Sequence, residues 1–267
     1  MQEADPKTAS YADDAALLAE AAERAADLAL QYFGKNPKVW HKENDAGPVT
    51  EADLAVDTML RETLTEARPD YGWLSEETPD TPDRLDRKSV FIVDPIDGTS
   101  EYINVGNRWA HSLAIATEGK LVAAAVMIPV QEDLYTATAG GGAFLNGKPV
   151  EPSERDRLDG GKLFGNRHTM KEANWPGGRP EMALHRSLPL AYQLSSLANG
   201  QCDAMARFGP IWEWDLAGGG LVVLEAGQTL TDAGGEAPAF NCPHPRVPGV
   251  LAGNAVLHAE LLNRHRN

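Results

Sequence analysis

The sequence has no uninterrupted apolar run approaching the ~18 residues a membrane-spanning helix needs, so no membrane partner is expected. Cysteine is scarce. Cys202 and Cys242 lie far apart and in no metal-ligand spacing, which argues against a disulfide framework and fits reduced thiols in a cytoplasmic protein. The seven histidines show no zinc spacing either. Positive charge is also in short supply, with 24 Lys and Arg against 39 Asp and Glu, a net charge of −15. Such a chain, without a basic cluster, repels a phosphodiester backbone, so a nucleic-acid polymer is not an expected partner. The glycine runs Gly140–Gly142 and Gly218–Gly220 make no dinucleotide fingerprint, and neither a Gly-x-Ser-x-Gly elbow nor a Gly-Lys-Ser/Thr phosphate loop is present. The polar, acidic stretch Met1–Asp14 does not read as a secretory leader.

What remains is a 267-residue chain, 42% apolar and 24% charged, long enough for an ample core. Apolar spacing predicts helices over Ser10–Phe33, with Leu17, Ala21, Ala25, Leu28 and Tyr32 on one face, and over Thr50–Arg68, with Val56, Met59, Leu60 and Leu64 together. Residues 34–49 read as a loop, and 75–88 as an exposed polar loop. Strands are expected at Val90–Val93, Ser112–Thr117, Leu121–Ile128 and Leu134–Ala139, with turns at Gly140–Gly142 and Asn146-Gly147. Beyond a loop-rich 151–181, the pattern gives a helix over Ser187–Ala198 and a strand near Ala204–Phe208. It then gives a buried helix over Glu213–Ala226, short strands at Thr229-Leu230 and Val250–Ala252, and a last helix over Ala255–Arg264. This order predicts mixed α and β layers. The expected division is a lobe over 1–150 and a second over 151–267, forming one catalytic unit.

The stretch FIVDPIDGTSEY, Phe91–Tyr102, drives an apolar strand into two carboxylates. Pro95 keeps Asp94 extended, and the turn returns Asp97 toward it. Backbone N–H groups at Gly98 and Thr99 could hold a phosphate, and two carboxylates beside an anion require cations between them. An ordinary polar corner with Asp97 as a helix cap is the other reading of the same spacing. Glu76-Glu77 read alone as solvated loop acids, although Trp73-Leu74 before them point to a buried element. Asp215, in WEWDLAGGG, reads either as a helix-dipole partner or as a buried carboxylate in need of a counter-charge. Thr50 and Asp53 form a capping box.

Taken together these fragments resemble the inositol monophosphatase superfamily. The motifs are Lys42 with Val49–Asp53, Glu76-Glu77, Asp94–Thr99 and Trp214–Gly218, in the family's order, and GGGAFLNGKPV resembles a hairpin common in it. The resemblance implies an αβαβα layered sandwich and Mg²⁺-dependent hydrolysis of a phosphate monoester, with two or three ions per site. It implies Glu76, Asp94 and the Ile96 carbonyl at a first ion, Asp94, Asp97 and Asp215 at a second, and a third, weaker ion near Glu76. Gly98, Thr99 and Ser100 would bind the phosphate, and Thr99 with Asp53 would position and deprotonate the attacking water. A homodimer is expected by resemblance alone.

Inositol-specific members carry a Glu several residues before Trp-Asp, and here the matching position is Arg207. With RFGP and EWD around it, this stretch looks like the 3′(2′),5′-bisphosphate nucleotidase branch, whose substrate is 3′-phosphoadenosine 5′-phosphate. A guanidinium there suits a second phosphate, and Glu101 also fits that branch. The chain departs from it at Ile211, at Leu216–Gly219 and at Leu190–Gln193. The expected substrate is therefore a small phosphorylated metabolite, first a bisphosphate nucleotide and otherwise inositol phosphate, histidinol phosphate or a sugar phosphate. A non-catalytic metal- or phosphate-binding protein is the alternative of another class.

Overall fold

The structure is a computed structural model that describes residues 6–42, 47–185 and 188–267. The first half runs α1 (Pro6–Tyr32), β1 (Val39–His41), β2 (Pro48–Thr50), α2 (Glu51–Ala67), β3 (Gly72–Ser75), β4 (Ser89–Asp97), α3 (Thr99–Ile103), β5 (Ala110–Thr117), β6 (Lys120–Ile128), β7 (Asp133–Thr138), β8 (Gly142–Leu145) and β9 (Lys148–Pro149). The second runs β10 (Lys162–Phe164), β11 (Ala183–His185), α4 (Leu190–Ala198), β12 (Ala204–Arg207), β13 (Ile211–Trp212), α5 (Glu213–Glu225), β14 (Thr229–Thr231), β15 (Arg246–Val247), β16 (Val250–Gly253) and α6 (Ala255–Arg266). Strands β3 to β9 form a seven-stranded sheet in chain order. A five-stranded sheet has the order β11-β10-β12-β16-β14, and β1-β2 and β13-β15 are small ladders.

The period of two along the central strands builds the layers. Phe91 and Val93 of β4, with Leu113 and Ile115 of β5, face α1 and α2. Val90 and Ile92, with Ala114 and Ala116, face α4 and α5, which are covered on their far side by β12 and β16. Leu257 and Leu261 of α6 close the outer face of the five-stranded sheet against Leu163, Ala204 and Leu251. The result is the expected αβαβα sandwich, with a middle core shared by both halves of the chain. Among the described residues no helix is long and apolar enough to cross a membrane.

Several expectations are corrected. Helix α1 starts at Pro6, a residue suited to a first helical position, and it buries Ala15, Leu18, Ala21, Ala22, Ala25, Ala26 and Ala29, so the expected Ala21 and Ala25 do face the core. Leu17, Leu28 and Tyr32 lie on its flank, because small side chains let the helix settle closely on the alanine-lined β6. The loop at 34–49 contains the antiparallel pair β1-β2. Strand β4 does not end at Val93 but continues, buried throughout, to Asp97, with a register shift between Asp94 and Asp97 that accommodates Pro95. The segment 75–88 is not simply exposed: it holds a 3₁₀ turn, Pro82–Asp86, whose Arg84 is 2% exposed. Ser187, the expected start of a helix, lies outside the described residues, and α4 begins at Leu190.

Candidate active site

The end of β4 is the centre of the site. Strand β3 runs parallel to it, and Glu76 N–H donates to the Val93 carbonyl at 3.2 Å, so Glu76 arrives beside Asp94 as an extension of the same ladder. Asp215 comes from the first turn of α5. That helix can approach because residue 218 is glycine: a Cβ there would stand 2.6 Å from Ser112 Oγ. One carboxylate oxygen each from Glu76, Asp94 and Asp215 lie within 4.8 Å of one another.

Asp94 is 1% exposed, and its Oδ1 has no hydrogen-bond partner among the described residues. Burial, then repulsion from Glu76, Asp97 and Asp215, holds its carboxyl well above the usual range. Asp215 is raised for the same reasons, burial first and then Asp97 and Glu76. Asp97 receives Ala191 N–H at 2.6 Å from the start of α4, yet burial still pushes it up to about 7. Arg207 makes no salt bridge among the described residues, but its charge partly offsets the rise at both Asp97 and Asp215.

Gly98 follows with φ of +95°, a left-handed conformation that favours glycine, and a Cβ there would run into Pro189. It turns the chain into α3, where Thr99 Oγ–H donates to Asp53 Oδ1 at 2.9 Å. Asp53 Oδ2 accepts Thr50 N–H at 2.9 Å, and Thr50 caps α2, so the expected capping box is present. Asp53 is thus a cap with one oxygen and a partner of Thr99 with the other. Its pKa is raised by burial, against the pull of these hydrogen bonds. Ser100 is exposed on the outer side of the same turn.

The structure therefore gathers Asp53, Glu76, Asp94, Asp97, Thr99 and Asp215. It adds groups that residue-by-residue reading passed over. Lys42 binds Glu76 at 2.6 Å and Glu77 at 2.8 Å. Burial works against its charge, but these two carboxylates outweigh it and raise its pKa. Buried His111 pairs through Nδ1 with the Pro95 carbonyl at the β4 irregularity. Only Lys42's place in the family motif signalled it in advance, and His111 gave no signal.

Carboxylate oxygens gathered at a strand end are the donor set that metal-assisted hydrolases of phosphate esters use. The sequence profile of the inositol monophosphatase family matches residues 12–267, and the chain belongs to that family of phosphate-monoester hydrolases. It is 32% identical over 262 residues to an inositol-1-monophosphatase of Caulobacter vibrioides, covering 92% of this chain and 98% of that protein. It is 36% identical over 140 residues to a histidinol-phosphatase of Chlorobaculum parvum, covering 52% and 53%. The fold matches the crystal structure of the extragenic suppressor protein suhB from Bartonella henselae with a TM-score of 0.82, at 27% identity, over 94% of this chain and 97% of that one.

Proposed function

We propose that the carboxylate cluster holds Mg²⁺ and that the chain uses it to hydrolyse the phosphate ester of a small alcohol. The observation that carries this reading is the meeting of Glu76, Asp94 and Asp215, with the buried Asp94 Oδ1 left without a partner. The donor set fits the ion: oxygen ligands only, and an anionic cluster whose burial a hard cation would offset. Glu76, Asp94 and the Ile96 carbonyl would hold one ion and Asp94, Asp97 and Asp215 a second, with a third, weaker one near Glu76. When bound, Mg²⁺ supplies the positive charge that admits a phosphate dianion and Lewis acidity toward the phosphoryl oxygens.

The chain's own residues do the rest. The free N–H groups of Gly98, Thr99 and Ser100 orient the phosphate. A water held by the Thr99 hydroxyl gives its proton to that oxygen as Thr99 passes its own to Asp53 Oδ1. The raised pKa of Asp53 suits it to keep that proton. The phosphorus–oxygen bond to the alcohol breaks as the new one forms, the departing alkoxide takes a proton from solvent water, and Asp53 returns its proton to the solvent, leaving inorganic phosphate and the alcohol.

Relatives named for inositol 1-phosphate and histidinol phosphate support those esters as the substrate class. A second reading, a 3′(2′),5′-bisphosphate nucleotide, rests on the sequence around Arg207, whose charge partly offsets the rise at Asp97 and Asp215. The test is phosphate release from inositol 1-phosphate, histidinol phosphate and 3′-phosphoadenosine 5′-phosphate, each with Mg²⁺ and with chelator. Release from at least one ester, abolished by chelator, is expected. Release that persists in chelator overturns the metal reading. Preference for the nucleotide selects the Arg207 reading.

A further inference from the structure

A cavity of about 640 Å³ opens beside Glu76 and shares that residue with the carboxylate cluster. One wall is Ser75, Thr78 and Asp80, and the other is Trp212, Pro243, His244 and Arg246. Its volume lies well inside the range of pockets that enclose drug-sized molecules, and it adjoins the cluster where the phosphate and Mg²⁺ are proposed to bind.

The second wall ends in a three-layer stack. Strands β13 and β15 pair Trp212 directly with Arg246, which puts the two side chains on one face. The Arg246 guanidinium sits 3.7 Å over the Trp212 ring centre, and Trp212 stacks on Trp214 at 4.5 Å with 13° between the planes. Trp214 is the buried base, Trp212 is 36% exposed, and Arg246 is the exposed top. Arg246 makes no salt bridge among the described residues, although the chain carries a net charge of −15. An arginine plane held on an indole, with its outer face open, is a platform for another flat group.

The two walls are fixed to each other. Arg84 binds Asp80 at 2.6 and 2.9 Å on one side, and Asn241 Oδ1 at 2.6 Å and the Cys242 carbonyl at 3.0 Å on the other. Asp57 accepts the hydroxyls of Ser75 and Thr78 at 2.5 and 2.6 Å. Glu213 receives the N–H groups of Asn241 and Cys242. A pocket whose walls are tied by this many side-chain bonds needs little ordering when a ligand enters.

We infer that this cavity is a subsite for a planar heteroaromatic ring on the alcohol side of the substrate, stacked on the outer face of Arg246. The inference rests on the phosphatase reading above and narrows it to ring-bearing alcohols, among which histidinol and nucleoside phosphates qualify and inositol phosphate does not. The test separates the two. Adenosine, which has the ring and no phosphate, is titrated into metal-free protein with tryptophan fluorescence as the readout, alongside inositol. Saturable quenching by adenosine and none by inositol is expected. Arg246→Ala should weaken adenosine binding about tenfold, and Arg246→Lys nearly as much, because lysine keeps the charge and loses the plane. With Mg²⁺ present, both variants should lower the ratio of kcat/KM for 3′-phosphoadenosine 5′-phosphate to that for glycerol 2-phosphate by a similar factor.

No adenosine binding, or full affinity in Arg246→Lys, overturns the subsite even if the esters are hydrolysed. Adenosine binding that depends on Arg246 sustains the subsite even in a protein that hydrolyses no ester, in which case it is the phosphatase reading that fails.

Discussion

Glu213 and Asp215 stand two residues apart at the start of one helix and are treated in opposite ways. Glu213 is fully buried, and its two oxygens receive the N–H groups of Asn241 and Cys242 at 2.6 and 3.0 Å. The chain itself answers that charge, and the result is a clip that holds residues 241–246 in place. Asp215 instead brings an oxygen within 4.8 Å of oxygens of Glu76 and Asp94, and burial with repulsion from Asp97 and Glu76 outweighs what the Trp212 backbone and Arg207 offer it. A buried carboxylate is tolerable when donors surround it and costly when like charges do. Acids of the first kind are structural. Acids of the second kind wait for something the chain does not provide, and oxygen-only ligands at a strand end point to a hard cation.

The largest expected effect falls on the unanswered group. Asp94→Asn should lower kcat with Mg²⁺ by about a thousandfold or more, the loss of several kcal/mol of charge stabilisation. The same variant should melt no lower than wild type when both are metal-free, as calorimetry would show, since the side chain removed was repelled rather than bonded. Arg84→Ala is the converse. It strips a buried cation from Asp80, Asn241 and Cys242 and should cost about 3 kcal/mol in denaturant unfolding while the protein still responds to Mg²⁺. Equal behaviour of these two variants in both assays would erase the distinction between answered and unanswered charge.

Asp53 sits on the boundary, bonded to Thr50 by one oxygen and to Thr99 by the other. Asp53→Asn should keep most of the cap and lose the proton acceptor. Turnover should fall about a hundredfold, with a small change in melting temperature. A large loss of stability with turnover intact would make the residue a cap only.

His111 should give the smallest effect. Burial pushes its imidazole down to about 4, against the pull of the Pro95 carbonyl. The unfolded chain takes up that proton first, near the ordinary value of about 6.5. Stability from this group is therefore present above 6.5 and is lost as pH falls toward 4. Nuclear magnetic resonance should show His111 neutral at pH 5.5, and a ring that titrates near 6.5 in the folded protein would contradict its burial.

These contrasts also explain what could be read in advance. The acids that meet in the cluster are legible only as a set, from the order of the family motifs: read alone, Glu76 passes for a solvated loop acid, Asp97 for a helix cap and Asp215 for a helix-dipole partner. Helices α2 and α5 and strands β5 to β7 were legible from apolar periodicity. Strand β4 was cut short because Asp94 and Pro95 look like its end, and only the register shift lets the ladder resume. The pairs β1-β2 and β13-β15 are two or three residues long, too short for alternation to show. Arg84 lay hidden in a stretch of prolines and aspartates, because its partner Asn241 is 157 residues away. Lys42 bonds Glu76 across 34 residues, a contact without local signature. Local chemistry was readable; charge pairing across the fold was not.

The most direct measurement is isothermal titration calorimetry of Mg²⁺ into metal-free wild-type protein and into Asp94→Asn. Saturable binding by wild type, at two or three ions per chain, and loss of most of that heat in Asp94→Asn is the result this account requires. No binding by folded wild-type protein at millimolar Mg²⁺, or the same isotherm in both proteins, would contradict it.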